Sequence, residues 1–333
     1  MAAKLSTSPS PRHLVRMIHR STPMTRPEAG RRRGHRRAAG SAWRALGVSA
    51  LALAGTASPA LAQEAPGACV APGSSLRLDH VPVAVGDLGA LSQRLTDEFG
   101  FHVLEGRRDG NGLETAAIAF GDGTRLELRT VGGPGDSGTA ATSEVQRYTE
   151  LIADGGGGAY LALSGTDGTG LDQLLAVARD IEPDFAAAGS DAARRAAFPA
   201  DHPLQAVFFV DPDPGAREPS TASGAAEHPN GARGLQAVWI MAEDPERLTR
   251  FLLAFGARDC GPSRHPEHLY GRAVGIRGGT AYIVDARLWM ADPGSAPVVS
   301  LTVRGGPDSV SDNIVLGNAG GLWIELRPSE ENG

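Results

Sequence analysis

The chain has 333 residues, which is long enough for two ordinary domains or one duplicated domain. Its formal net charge is −6, and the first 62 residues hold eleven of the 32 basic residues but only one of the 38 acidic ones. The remaining chain therefore has a net charge of −16 and no basic patch with interleaved aromatic residues. Such a chain repels phosphate backbones, so nucleic acid is excluded as a partner.

The first 62 residues have the pattern of a secretory signal peptide. A cationic run at 31–37 precedes a short apolar stretch at 45–54, and a small-x-small site ends at Ala62. The apolar stretch is too short to span a bilayer, and no later run approaches eighteen apolar residues. We therefore expect an exported protein, periplasmic or secreted, with no stable membrane insertion after cleavage.

Two cysteines, Cys69 and Cys260, remain after the predicted cleavage. An even number of cysteines in an exported chain permits one disulfide. The sequence leaves open whether these two residues meet.

The first folded segment predicts a βαβββ unit. Residues 77–85 alternate as in a strand, Asp87 is placed to cap a helix, and Gly100 is placed to end it. Three further strands are predicted at 101–107, 113–120 and 125–131.

This pattern recurs along the chain. Residues 235–244 align without a gap with 78–87, and Pro245 stands at the first position of the following helix. Weaker copies span 159–211 and 298–327, so four modules of one type are predicted. The resulting organisation is an α+β protein with a linker at 63–75, an N-terminal domain of two modules at 76–212, a linker at 213–234, a C-terminal domain of degenerate modules at 235–328, and a tail at 329–333.

One histidine and one carboxylate carry the clearest chemical signal. Alternation along the first strand places His80 on one face with Leu78. Alternation along a later strand places Glu127 with Arg125 and Arg129. Imidazole and carboxylate can together bind zinc, iron, manganese or nickel. The alternative is a half-buried histidine bonded to a backbone carbonyl and a glutamate paired with arginine.

Taken as a set, four segments resemble the vicinal oxygen chelate superfamily, and in particular its glyoxalase-like proteins. They are LDHVPVAVGDL at 78–88, FGDGTRLELR at 120–129, VFFVD at 207–211 and HPNGA at 228–232, and the resemblance covers roughly 76–328. It implies paired βαβββ modules that form a cup-shaped mixed β-sheet around a metal. It also implies isomerase, lyase or dioxygenase chemistry, although some relatives bind a ligand without metal.

The resemblance implies metal ligands on the first and last strands of each module. His80 and Glu127 match both positions in the first module. In the second, the first-strand position falls near Tyr160 and the last-strand carboxylate is Asp211. The third module has Ala237 and Ile283 at these positions, and the fourth retains Glu325.

Glu114 is the candidate general base. Relatives often have Gly-Thr-His-Asn where this chain reads Gly112-Leu-Glu-Thr115. A Glu114 carboxylate that faced the cup could abstract a proton if burial raised its pKa. The alternative is a solvated glutamate at a loop edge.

Other residues have simpler interpretations. His228, in His-Pro-Asn-Gly, is interpreted as part of a turn. Three tryptophans either line the cups or fill the core, at positions 239, 289 and 323. No lysine follows the predicted cleavage site, which excludes a lysine Schiff base there.

The leading functional hypothesis is a divalent-metal-dependent lyase, isomerase or dioxygenase that acts on a small oxygen-rich molecule. The competing hypothesis is a metal-free protein that binds or sequesters a small molecule in the same cup. A structural or partner-binding exported protein is the third possibility, and the sequence leaves a homodimer open.

Overall fold

The computed structural model describes residues 69–106, 112–132, 143–166, 168–188, 195–199, 201–211, 227–264, 270–288, 296–306, 314–319 and 321–327. The predicted signal peptide, the tail and Trp289 lie outside the described residues. Within these ranges, no helix is both long enough and apolar enough to cross a membrane.

Four helices and fifteen strands are formed within the described ranges. The helices are α1 (Leu88–Asp97), α2 (Ser143–Ala153), α3 (Leu171–Ile181) and α4 (Pro245–Leu253). The strands are β1 (Leu76–Ala84), β2 (Leu113–Ala119), β3 (Arg125–Val131), β4 (Gly157–Gly158), β5 (Leu161–Gly165), β6 (Ala186–Ala188), β7 (Arg195–Ala197), β8 (Val207–Val210), β9 (Ala232–Ala242), β10 (Arg258–Arg264), β11 (Tyr270–Ile276), β12 (Gly279–Asp285), β13 (Val298–Gly305), β14 (Ile314–Ala319) and β15 (Leu322–Arg327).

The strands pair in the same way in both halves of the chain. In the N-terminal half, β1 pairs in parallel with β3 and antiparallel with β5, and β5 pairs in parallel with β8. In the C-terminal half, β9 pairs in parallel with β12 and antiparallel with β13, and β13 pairs in parallel with β15. The short strand β4 links β1 to β13. This curled mixed sheet with few helices confirms the predicted α+β class and the cup-shaped sheet.

Three helices pack on one face of the sheet and build the main core. Asp87 accepts a hydrogen bond from the backbone N–H of Ala90 and starts α1, and Asp244 does the same for Arg247 at the start of α4. Both caps lie where the sequence predicts them. The buried leucine and phenylalanine side chains of α1, α3 and α4 join strand residues such as Val81 in one apolar cluster.

Helix α2 lies on the opposite face and was not predicted. Tyr148 and Leu151 of α2 are fully buried against Ala84 and Leu113. Their spacing along the chain is helical, but the Gly- and Ser-rich stretch that precedes them obscured this signal. Helix α2 therefore covers part of the sheet face opposite to the main core, in the N-terminal half of the chain.

The strand predicted at 101–107 does not form in the part of it that is described. Residues 101–106 contain a single bridge, between Leu104 and Ala117, and Phe101 enters the core instead. Apolar residues at alternate positions predicted a strand here. In the structure Phe101, directly after Gly100, is buried without being part of a strand.

The two cysteines form a disulfide between Cys69 and Cys260, with their Cα atoms 6.0 Å apart. The disulfide holds the segment before β1 against the C-terminal half, where Cys69 packs with Trp239 and Tyr282. The backbone carbonyl of Cys69 also accepts a hydrogen bond from Thr280 at 2.6 Å.

Candidate functional site

A bulge in β1 decides which residues enter the cup. Leu78 pairs with Leu163 of β5 and His80 pairs with Ala162, so Asp79 is one extra residue. Leu78 therefore packs in the main core, while Asp79 and His80 both lie on the opposite face. The prediction that Leu78 and His80 share a face is wrong, because strict alternation does not survive a bulge. We call the face that carries His80 the N-terminal cup.

Asp79 and His80 form a buried pair at the floor of the N-terminal cup. His80 Nδ1 lies 2.7 Å from Asp79 Oδ1, and both side chains are about 97% shielded from solvent by the surrounding protein. Burial lowers the pKa of His80, and the nearby Arg125 adds to this effect. Burial raises the pKa of Asp79, but the hydrogen bond from His80, the charge of Arg125 and smaller contributions together outweigh it, and the pKa falls below its usual value. A lowered pKa favours the neutral imidazole, and with the ionised Asp79 beside Nδ1 the tautomer that donates from Nδ1 presents the lone pair of Nε2.

The carboxylate of Glu127 lies opposite that lone pair and is a second hydrogen-bond acceptor. Its Oε2 lies 3.5 Å from His80 Nε2 and accepts a hydrogen bond from Arg129 Nη2 at 2.7 Å. Burial raises the pKa of Glu127, but the charges of Arg129 and Arg125 and the hydrogen bond from Arg129 outweigh it together, so the pKa falls and the ionised carboxylate is favoured. Two acceptors then face each other, and a hydroxyl in contact with both would donate its single hydrogen to one of them.

Arg129 connects Glu127 to helix α2. Arg129 Nη1 donates to Glu144 Oε1 at 2.8 Å, and Arg195 Nη1 of β7 donates to the same oxygen at 2.9 Å. Arg129 also lies over the ring of Tyr148, with its Cζ 5.6 Å from the ring centre. Sequence reasoning did not identify Glu144, Tyr148 or Arg195 as site residues. The four-residue spacing of Glu144 and Tyr148, which places both on one helix face, was the available signal.

Aromatic side chains form the opposite wall of the N-terminal cup. The ring of Phe208 on β8 meets His80 edge-on, with centroids 5.7 Å apart, and Tyr160 meets Phe208 in the same way at 5.6 Å. Tyr160 therefore lies in the cup, as the alignment of the second module predicted, but next to apolar neighbours such as Ala162.

Two of the other predicted site residues lie on the reverse face of the sheet. Asp211 Oδ1 accepts a hydrogen bond from the backbone N–H of Leu171 at 3.0 Å, at the start of α3, which has no cap from its own Gly170. Glu114 pairs with Thr130 in the ladder between β2 and β3, one position out of step with Glu127. The register therefore brings neither carboxylate to His80.

Glu325 lies in the C-terminal half, in a position equivalent to Glu127. It pairs with Thr302 as Glu127 pairs with Pro82, and it binds Arg327 Nη2 at 2.9 Å. Among the described residues, its neighbours belong to the C-terminal half, so the structure does not bring it together with His80.

The C-terminal half has its own cup, which is mainly aromatic. Trp239 and Tyr282 stack with ring centroids 4.2 Å apart, and Ala237 lies on the same face. Parallel pairing of β9 with β12 puts Tyr282, not Ile283, at the position equivalent to Glu127. The alignment of the third module was thus displaced by one residue, and Ile283 faces the main core.

His228 has a structural role, as its turn sequence predicted. Its Nδ1 accepts the backbone N–H of His102 at 3.0 Å, and its Nε2 lies 3.1 Å from the carbonyl oxygen of Ala119. Both ring nitrogens are therefore occupied by backbone groups. His265 and His268 lie outside the described residues.

The described residues do not fit a tightly held divalent metal. His80 and Glu127 supply two donors, but the facing positions on β5 and β8 are Ala162 and Phe208. No group of three or more potential metal ligands of the types His, Cys, Asp and Glu occurs in the described part of the chain. Catalytic zinc sites and the two-histidine, one-carboxylate iron sites each use three protein ligands.

Several solved structures are similar to this chain at low sequence identity. A hypothetical protein from Staphylococcus aureus has a TM-score of 0.52 at 12% identity, with 76% of this chain and 99% of that one covered. A catechol 2,3-dioxygenase has a TM-score of 0.45 at 13% identity, covering 76% and 92%. The 2,3-dioxygenase LapB from Pseudomonas sp. KL28 has a TM-score of 0.48 at 12% identity, covering 78% and 94%.

No curated protein sequence matches the chain significantly. The family comparison is more decisive, because the glyoxalase-like domain matches residues 78–256, more than half of the chain. That range contains the whole N-terminal cup and the start of the C-terminal half. The chain therefore belongs to the glyoxalase-like domain family, as its sequence motifs predicted.

Proposed function

We propose that this protein binds a small hydroxylated aromatic molecule in the N-terminal cup, without a resident metal. The observation that carries the proposal is the 3.5 Å approach of His80 Nε2 to Glu127 Oε2, two acceptors in a buried site. A ligand hydroxyl placed between them would donate to one of the two and screen it from the other. The donor set of the described residues supports this reading over the metal-dependent lyase, isomerase or dioxygenase.

Two features support selection of a hydroxyl on an aromatic ring. A hydrogen bond to an ionised group contributes about 1.5–3 kcal/mol, and a buried acceptor left without a donor incurs a comparable penalty. A ligand ring beside Phe208 and Tyr160 would add an edge contact worth about 0.5–1.5 kcal/mol. A molecule without the hydroxyl would leave the Nε2 lone pair of His80 facing the Glu127 carboxylate.

The predicted signal peptide supports export as part of the same proposal. An exported binding protein would hold its ligand in the periplasm or outside the cell. The disulfide between Cys69 and Cys260 is consistent with an oxidising compartment of that kind.

The test is calorimetric titration of residues 63–333, after EDTA treatment, with 4-hydroxybenzoate and with 4-methoxybenzoate. In 4-methoxybenzoate a methyl group replaces the donor hydrogen. We expect 4-hydroxybenzoate to bind at least about tenfold more tightly, which corresponds to about 1.4 kcal/mol. Equal affinities, or binding that requires added zinc, nickel, manganese or iron(II), would contradict the proposal.

Two variants locate the ligand. We expect His80→Ala to reduce the preference for the hydroxylated ligand, since it removes one of the two facing acceptors and leaves only Glu127 to accept the hydroxyl hydrogen. Glu325→Gln is the matched control in the C-terminal cup and should leave the preference unchanged. A preference lost in Glu325→Gln and kept in His80→Ala would place the ligand in the other half.

A further inference from the structure

We infer that Arg129 and Arg195 form a subsite for a ligand carboxylate, and that Glu144 occupies this subsite when no ligand is bound. The inference rests on the proposed function and names the second recognition group of its ligand. Helix α2 then has a role, because its Glu144 competes with the ligand carboxylate for the two arginines. The ligand class becomes aromatic acids with a hydroxyl remote from the carboxylate.

The geometry of the two arginines is that of a carboxylate clamp. Arg129 comes from β3 of the first module and Arg195 from β7 of the second, yet both donate to a single oxygen, Glu144 Oε1. Glu144 belongs to neither strand and arrives on α2. Arginine and carboxylate groups pair best when separate N–H groups meet separate oxygens. A free carboxylate could give one oxygen to each guanidinium, which Glu144 does not.

Helix α2 leaves two buried polar atoms unsatisfied beside this clamp. Arg129 Nε and the Tyr148 hydroxyl lie out of contact with solvent and have no hydrogen-bond partner among the described residues. A buried polar group without a partner is unfavourable. The Tyr148 hydroxyl belongs to α2 itself, so its unfavourable burial is relieved when the helix moves away.

The connection after α2 permits such a movement. Gly155, Gly156 and Gly157 follow the helix in succession with φ values of 107°, 82° and 126°. Only glycine adopts this conformation readily, and glycine also has the largest backbone freedom. A change at this turn would withdraw Glu144 from Arg129 and Arg195 and would expose part of the buried surface of Tyr148 and Leu151.

The spacing of the two recognition groups defines the shape of the ligand. Glu127 and Glu144 bind opposite nitrogens of the Arg129 guanidinium, Nη2 at 2.7 Å and Nη1 at 2.8 Å. A ligand carboxylate in the place of Glu144 is therefore separated from a ligand hydroxyl at Glu127 by the width of that guanidinium. This favours para-hydroxylated acids over ortho-hydroxylated ones.

The experiment compares 4-hydroxybenzoate with its uncharged analogue 4-hydroxybenzamide, in the parent protein and in Glu144→Gln. Removal of the competing charge should tighten 4-hydroxybenzoate on the order of tenfold and change 4-hydroxybenzamide less than twofold. Arg195→Gln should weaken the acid and spare the amide. Glu325→Gln, in the other cup, is the control and should alter neither.

Hydrogen exchange of α2 gives an independent readout. We expect 4-hydroxybenzoate, but not 4-hydroxybenzamide, to speed amide exchange in 143–153 of the parent protein. If 4-hydroxybenzamide and 4-hydroxybenzoate bind with equal affinity and hydrogen exchange in α2 is unchanged, the inference of a carboxylate clamp is wrong and the proposed function still stands. Failure of both ligands to bind would overturn both.

Discussion

The two halves of the molecule share a backbone plan and one ion pair. One parallel strand in each half has a glutamate and an arginine two residues apart: Glu127 with Arg129 on β3 of the first module, and Glu325 with Arg327 on β15 of the fourth. The two contacts measure 2.7 and 2.9 Å, and both arginines have a buried Nε that no described residue pairs. The duplication has therefore preserved a charged pair as well as a fold.

The halves differ in what faces that pair. In the N-terminal cup the neighbouring strand supplies His80 and its partner Asp79, whereas Ser300 of β13 occupies the equivalent position in the C-terminal cup. Helix α2 fills part of the first cup, and the stack of Trp239 on Tyr282 fills part of the second. Residues on the cup face pack outside the main core, so their chemistry can change while the core side keeps the fold.

Loss of the disulfide is the largest stability change that we expect. The double variant Cys69→Ala with Cys260→Ala opens a loop with a sequence separation of 191 residues. We expect a loss of about 4 kcal/mol in the free energy of unfolding, measured with urea. Since the disulfide packs in the C-terminal cup, the urea concentration at the midpoint of the Trp239 fluorescence change should fall in the double variant. A loss below about 1 kcal/mol would show that packing alone holds the segment.

Substitutions of Arg129 and Arg327 should have the next largest effect on the free energy of unfolding, and they compare the two halves directly. Arg129→Met leaves two carboxylates, Glu127 and Glu144, without their shared cation, whereas Arg327→Met leaves only Glu325. We expect Arg129→Met to cost about 3 kcal/mol of unfolding free energy and Arg327→Met to cost about half of that. Equal losses in urea unfolding would mean that Glu144 gains little from Arg129.

A pH-dependent contact joins the halves. Glu182 at the end of α3 receives two hydrogen bonds from Arg247 of α4, at 2.7 and 2.5 Å, and these bonds hold its pKa below the ordinary 4.5. A carboxylate whose pKa falls on folding stabilises the protein above that ordinary value and loses this contribution as the pH falls through the folded pKa. We expect Glu182→Gln to cost about 2 kcal/mol at pH 7.

The difference between the parent and Glu182→Gln should shrink as the pH falls below 4.5. Urea unfolding at several pH values measures this. A difference that stays constant down to pH 3 would exclude an ionised Glu182 as its source.

The smallest expected effects concern the helix caps, which are matched between the halves. Asp87→Ala and Asp244→Ala each remove one hydrogen bond to the first turn of a helix. Each should cost about 1 kcal/mol of unfolding free energy. Because Pro245 already favours the helix start in the second half, Asp244→Ala should cost no more than Asp87→Ala. A clearly larger loss for Asp244→Ala would contradict the equivalence of the two caps.

Local signals were sufficient for most of the fold. Aspartate caps, terminal glycines and alternation predicted α1, α4 and the main strands, since these signals act within a few residues. The bulge at Asp79 and the displaced register of Tyr282 were missed, because register is set by cross-strand pairing that no single strand encodes.

The candidate site was predictable only in part. His80 and Glu127 were identified as a pair, and the structure places them 3.5 Å apart. Asp211 was read as a cup residue, although a carboxylate beside a helix start is equally suited to capping that helix. Glu144 was missed because its site depends on a helix that inserts between modules, where the repeat pattern offers no template.

The most direct test of the central claim is the affinity of residues 63–333 for 4-hydroxybenzamide, the neutral probe that depends on the hydroxyl alone, after exhaustive EDTA treatment. We predict binding of one molecule per chain, weakened in His80→Ala and retained in Glu325→Gln. Binding that appears only after a divalent metal is added, and that His80→Ala and Glu127→Ala both abolish, would contradict the metal-free account.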